Sequence, residues 1–331
     1  MKKTLLILLA LIMVFSMAAC NSGGGGGGNE EPDEPGDELI RVGIINNPPA
    51  ESGYREANVK DFERVFNEDN GYSVKTFYNI NNDEQLNAAR QFITEGVDYM
   101  LISAAATDGW EGVLTDAQEA GIRVFLFDRM MNVSESLFEA AVVSDMANQG
   151  DLAMEWLLDQ GLEEINVVHI QGAMGSDAQI GRTAAFDREV TAGNMTKVVQ
   201  QTATWDEAEA KSIVEQVIAS GDSFNVVYAE NDGMARGAVA ALQDAGISHG
   251  VDGDVIIIGV DANKWALREL LAGNWNLNVQ CSPFQADVID GMIQKLESGG
   301  TLNQKIVISE ERYFDARTIT EAEIAQFGLG D

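Results

Sequence analysis

Six polar and aromatic clusters recur in this chain, each following a short apolar run. They are Glu51-Ser52-Gly53-Tyr54-Arg55, Thr107-Asp108-Gly109-Trp110-Glu111, Asp128-Arg129, Met174-Gly175-Ser176-Asp177 with Arg182 a helical turn beyond, Glu230-Asn231-Asp232, and Asp261-Ala262-Asn263. Carboxylates accept hydroxyl protons, and Arg donates through a rigid planar fork. An aromatic ring covers an apolar C–H face. Together these groups suit a small ligand carrying many hydroxyls. Each cluster also has a plainer explanation. Asn231-Asp232 could cap a helix starting at Gly233, and Asp128-Arg129 could be a local surface ion pair. Tyr54 and Trp110 could be core residues at helix starts, and Arg182 could lie on an outer helical face. The case for a site rests on the recurrence, not on any one cluster.

The runs between the clusters explain why they would meet. Residues 41–45 read as a buried strand, 58–66 as a helix with Val59, Phe62, Val65 and Phe66 on one face, and 72–78 as a second strand. A helix over 83–94, a strand over 97–102, a helix over 110–120 stopped by Gly121, and a strand over 122–127 follow. The pattern then restarts with a strand at 140–144 and a helix at 148–158. Strands at 165–170, 197–201, 224–228 and 255–260 alternate with helices at 179–191, 207–219 and 233–245. Such alternation implies βαβ units and parallel sheets, here two doubly wound α/β lobes. All six clusters then lie at the strand C-ends, on one edge. The tail holds a strand at 275–280, a helix at 284–296 and a last strand at 305–309. These cannot form a domain alone, so the chain is expected to cross between the lobes more than once, as a hinge beside a cleft. The expected division is 39–143 plus 281–302 for the first lobe and 144–280 plus 303–331 for the second.

The N-terminus bears on location. Lys2 and Lys3 precede an apolar run over 5–15, too short for an ordinary bilayer span, and then Ser16-Met17-Ala18-Ala19-Cys20. This pattern resembles a bacterial lipoprotein signal, which implies cleavage before Cys20 and lipid on its thiol. An ordinary secretory signal with an incidental Cys is the alternative. Residues 1–20 are thus expected to be the signal with its lipidated Cys, and 21–38, Gly-rich and then acidic with Pro, a flexible tether. The body carries a large acidic excess: 21 Lys+Arg against 53 Asp+Glu give a net charge of −32 for the chain. That field repels nucleic acid and anionic lipid surfaces. No Gly-x-Ser-x-Gly elbow, phosphate loop or His-Glu-x-x-His motif is present. His169 and His249 are read as structural, and Cys281 as a buried thiol. No cofactor or metal is expected.

Ser52-Gly53-Tyr54-Arg55, then Asp108-Gly109-Trp110-Glu111-Gly112-Val113-Leu114 and Phe125-Leu126-Phe127-Asp128-Arg129, closely resemble the periplasmic sugar-binding proteins of ABC importers. Their galactofuranose-binding subgroup is the most similar. Tyr228-Ala229-Glu230-Asn231-Asp232-Gly233-Met234 and Gly259-Val260-Asp261 look like that family's second-lobe motifs. The resemblance implies a type I periplasmic-binding-protein fold that closes on a monosaccharide. It implies that Arg55, Asp128 and Arg129 meet the ligand from the first lobe, and Arg182, Asn231, Asp232 and Asp261 from the second. Tyr54, Trp110 and Ser176 complete the expected site. Tyr54 stands where the subgroup has Trp, and Tyr78-Asn79-Ile80-Asn81-Asn82 replaces an Asp-Gly-Gln segment. Ser176-Asp177 and Glu230 also depart from the pattern, and all these changes bear on which sugar is bound. The expected partners are an ABC importer permease and, through the lipid, the membrane. The protein is expected to be a monomer on the extracellular or periplasmic side, with no nucleic-acid partner and no catalysis. A sensory module for a membrane receptor and a secreted carbohydrate-active enzyme are the competing readings. The enzyme would need an acid/base carboxylate pair, whereas Arg and Asn neighbours keep carboxylates ionised.

Overall fold

The computed structural model describes residues 39–330. The expected signal, Cys20 and tether lie outside the described residues. From the first strand onward the chain alternates as its apolar runs predict. It runs β1 (Ile40–Asn46), α1 (Gly53–Val65), β2 (Tyr72–Tyr78), α2 (Asn82–Glu95), β3 (Tyr99–Ile102), α3 (Glu111–Glu119), β4 (Arg123–Asp128) and β5 (Ala140–Val143). It continues through α4 (Met146–Leu158), β6 (Asn166–Gln171), α5 (Asp177–Ala192), β7 (Thr196–Thr202), α6 (Glu207–Ser220), β8 (Val226–Ala229), α7 (Asp232–Asp244) and β9 (Ile256–Asp261). The tail adds α8 (Lys264–Leu271), β10 (Leu277–Gln280), α9 (Ala286–Glu297), β11 (Ile306–Ile308), β12 (Tyr313–Asp315) and α10 (Glu321–Phe327).

Two six-stranded sheets result, ordered β11-β5-β4-β3-β1-β2 and β12-β10-β9-β8-β6-β7. Every pairing is parallel except that of β12 with β10. Strands β3, β5 and β8 are buried along their whole length, as strands covered on both faces must be. One face of the first sheet packs α2 and α3 through Phe92, Trp110 and Leu114. The other packs α1 and α9 through Phe62, Val65, Ile289 and Ile293. The second lobe has its own core, built around Phe186, Val214, Leu242 and Trp275. This is the type I periplasmic-binding-protein fold, with the two doubly wound lobes expected.

The chain passes between the lobes three times: after β5, after β10 and after β11. Strand β11 pairs with β5, so residues 306–308 complete the first sheet. The expected boundary at 302 therefore falls too early, because parallel pairing to β5 holds the chain in the first lobe through Ile308. The short elements α8, β12 and α10 were not expected. Strand β12 is three residues long and antiparallel, and α10 is marked only by its Thr320–Glu323 capping box.

Candidate functional site

The polar clusters sit at the strand C-ends, where helices begin. Several serve as helix caps: Ser52 accepts from the Arg55 amide, Ser176 from Gln179 and Asn231 from Met234. At the same edge the backbone leaves its ordinary range. Among the described residues, five non-glycine residues have positive φ: Asp128, Thr204, Trp205, Asp261 and Ala262, at or just beyond the ends of β4, β7 and β9. Such conformations persist where surrounding contacts over-determine them, and they concentrate at ligand sites.

Asp128 organises the first-lobe wall. Its Oδ1 accepts from the Tyr54 hydroxyl at 2.7 Å, and its Oδ2 accepts from Arg55 Nη2 at 2.7 Å and Ser103 Oγ at 2.8 Å. Burial alone would raise this carboxyl, but Arg55 and Arg129 outweigh it and hold Asp128 well below the usual carboxylate range. Arg55 is fully buried, and its remaining nitrogens bind Glu51 and Asn46, at 3.3 Å and 2.8 Å. It lines the cleft but spends its donors on the protein. Arg129 lies 3.1 Å from Asp128 through Nε, and its Nη1 donates to the Ala104 carbonyl at 3.2 Å. Among the described residues neither the Arg129 Nε nor the buried Trp205 Nε1 has a hydrogen-bond partner.

Arg182, Trp205, Asn231 and Asp261 form the opposite wall. Arg182 Nε donates to Gln149 Oε1 at 2.9 Å and Nη1 to the Glu230 carbonyl. Asn231 uses Oδ1 for its cap, which leaves Nδ2 as a donor toward the cleft. The Asp261 carboxylate is buried and accepts no hydrogen bond from the described residues. Burial and repulsion from Asp232 push it well above the usual carboxylate range, against Arg182. Trp205 stands over Gly172, whose added Cβ would lie 1.8 Å from the indole. Only glycine leaves room for that ring.

Between the walls lies a narrow cavity, also bordered by Glu51, Met146 and Cys281. The lobes touch around it. The Thr107 amide donates to the Gly175 carbonyl at 3.0 Å, and the Met130 amide to Asp177 Oδ2 at 2.8 Å. A Cβ on Gly53 would stand 2.0 Å from Asn263 Oδ1. The cleft is closed, and outward it widens into a groove bordered by Pro49, Ile80, Met174 and Trp265.

Tyr54, Arg55, Asp128, Arg129, Arg182, Asn231 and Asp261 are thus brought together at one cavity. Three other expected residues are not. Trp110 is fully buried in the first-lobe core, its Nε1 held by Asn82 Oδ1 and the Ala106 carbonyl. Ser176 caps α5 and donates to the Ala173 carbonyl at 2.8 Å. Asp232 accepts from the Asn263 amide at 2.8 Å, from Asn263 Nδ2 at 3.0 Å and from Asn278 Nδ2. It stands behind the cavity and positions the Asp261–Asn263 turn. Trp205 was missed, although it follows β7 and the strand-end rule could have found it. Ser103 was missed because a lone Ser carries no signal. Buried His169 bonds Glu230 at 3.0 Å and stacks on Tyr228, a structural role. No group of three or more His, Cys, Asp or Glu among the described residues could hold a metal ion. No described helix is long and apolar enough to cross a membrane.

Two α/β lobes, three crossings and a closed polar cleft define a hinged solute-binding protein. The periplasmic binding protein domain matches residues 42–289, and the chain belongs to that family. It is 30% identical over 281 residues to the galactofuranose-binding protein YtfQ of Escherichia coli, covering 82% of this chain and 87% of that one. It is also 30% identical to the fructose import binding protein FruE of Bifidobacterium longum, over 85% and 86% of the two chains. A solved galactofuranose binding protein superposes with a TM-score of 0.80 at 27% identity, over 87% of this chain and 98% of the other. The binding protein of the arabinose ABC transporter from Shewanella, bound to L-arabinofuranose, gives 0.78 at 28%, over 86% and 95%. The family expected from the motifs is the family found.

Proposed function

We propose that this protein captures a monosaccharide, galactofuranose or a related furanose, between its lobes and delivers it to an ABC importer permease. The observation that carries the reading is a set of uncommitted polar groups facing one cavity. Trp205 Nε1 and Asn231 Nδ2 are free to donate, and Asp261 is free to accept. A furanose offers hydroxyls to both kinds and C–H faces to Tyr54 and Trp205. Similarity to binding proteins for galactofuranose, fructose and L-arabinofuranose supports the ligand class. Closure removes water and strengthens every polar contact inside.

The ligand is bound and released, not transformed. Asp128 is held ionised by two Arg and cannot serve as a general acid. Asp232 and Asp261, which Arg and Asn neighbours were also expected to keep ionised, are instead raised by burial. The lipid on Cys20 and the tether would keep a monomeric protein at the outer membrane surface beside its permease. Labelled palmitate should enter the parent and not Cys20→Ala; equal labelling removes the anchor from this reading. For the ligand, a thermal-shift panel of D-galactose, L-arabinose, D-fructose and D-ribose should raise the melting temperature with at least one sugar. No shift with any of them at millimolar concentration would refute the proposed sugar class.

A further inference from the structure

Glu311 lies in the third crossing, between β11 and β12, outside the cavity. Its Oε1 accepts from Ser144 Oγ at 2.6 Å, in the first crossing, and from the Ser282 amide at 2.7 Å, in the second. Its Oε2 accepts from Gln149 Nε2 at 2.6 Å, on α4. One carboxylate therefore gathers all three strands of the hinge. Two amide N–H donors and a serine hydroxyl converge on it, an arrangement that favours the ionised form. Gln149 is fully buried and passes the constraint on: its Oε1 accepts from Arg182 Nε at 2.9 Å. The amide can satisfy both neighbours in one orientation only.

We propose that Glu311 is a positioning residue that couples the hinge to the ligand site, fixing the Gln149 amide and thereby aiming Arg182 into the cleft. This rests on Arg182 being a ligand contact, as the proposed function has it. A neutral amide at 311 tests the relay. The Ser282 amide can only donate, so the new carbonyl must stay on the Oε1 side, and the new NH₂ then faces Gln149 Nε2. Gln149 must turn over, and its own NH₂ then meets the Arg182 Nε–H, donor against donor. Moving the charge to the neighbour repairs the pattern. With Glu at 149, one oxygen accepts from Arg182 and the other from the amide at 311.

The experiment compares the parent, Glu311→Gln and the double variant Glu311→Gln/Gln149→Glu at about pH 8, on the alkaline side because burial raises the Glu311 carboxyl. Calorimetry uses L-arabinose, D-galactose, D-fructose and D-ribose. Glu311→Gln should weaken the best of them about tenfold or more, and the double variant should recover most of that loss. The Arg182 Nε–H resonance of the ligand-free protein should shift in Glu311→Gln and return in the double variant. That resonance separates the two ideas, because it responds even if none of these sugars binds the parent. Parental affinity and an unmoved resonance in Glu311→Gln overturn the proposal. So does a folded double variant with no recovery, because a general loss of hinge stability would not be repaired by transposing the charge.

Discussion

Replacing Asp261 by Asn should lower ligand affinity and at the same time relieve the ligand-free protein. Asp261 closes β9 at φ 121°, and Asn tolerates positive φ better than most residues. The carboxylate faces the cavity near Arg182 and accepts nothing from the described residues, so its hydrogen-bonding capacity is left for the ligand. A hydrogen bond contributes about 0.5–1.5 kcal/mol between neutral groups and about 1.5–3 kcal/mol where one is charged, so the change should weaken binding about twofold or more, rising to about ten- to one-hundredfold where Asp261 is ionised. Stability should move the other way. Burial raises both Asp232 and Asp261 above the usual carboxylate range, and Asp232 raises Asp261 further. Between about pH 4 and the raised values these two carboxyls hold more protons in the folded protein than in the unfolded chain. Their contribution to ligand-free stability is therefore full below about pH 4 and declines as pH rises through that range. Asp261→Asn removes one of the two charges and should flatten the decline. Calorimetric titration at neutral pH measures the first effect, and melts without ligand from about pH 4 to 8 the second. Parental affinity, or a steeper loss of stability toward neutral pH, would refute the reasoning.

Other substitutions separate the cleft from its support. Trp110→Ala should cost about 3–5 kcal/mol of stability, since the indole is wholly buried, while the folded fraction keeps its affinity. Lost binding at full stability, read by calorimetry and urea melts, would put Trp110 back in the site. Gly172→Ala should displace the Trp205 ring, changing tryptophan fluorescence and weakening binding about tenfold or more. An unchanged spectrum and affinity would show that the ring does not depend on that glycine.

The order of strands and helices was legible because it depends on local periodicity. Runs such as Tyr99–Ile102 are apolar throughout, and the helices between them carry apolar faces. The strand-end rule then brought Asp128, Arg129, Arg182, Asn231 and Asp261 to one edge, and the motifs pointed to the family. Their roles were less accessible. Asn231 and Asp232 are neighbours with similar chemistry, yet Asn231 borders the cavity and Asp232 turns behind it to hold Asn263 and Asn278. Helical geometry points adjacent side chains in different directions, so the packing around α7 decides which of them meets ligand. Trp110 and Trp205 both follow strands, and only the space over Gly172 brings Trp205 to the cleft. The hinge staple was wholly invisible. Ser144, Gln149, Ser282 and Glu311 are separated by up to 167 residues and share no pattern. They meet because the chain crosses between its lobes three times. A buried carboxylate needs several donors at once, and only the tertiary structure brings those donors to Glu311.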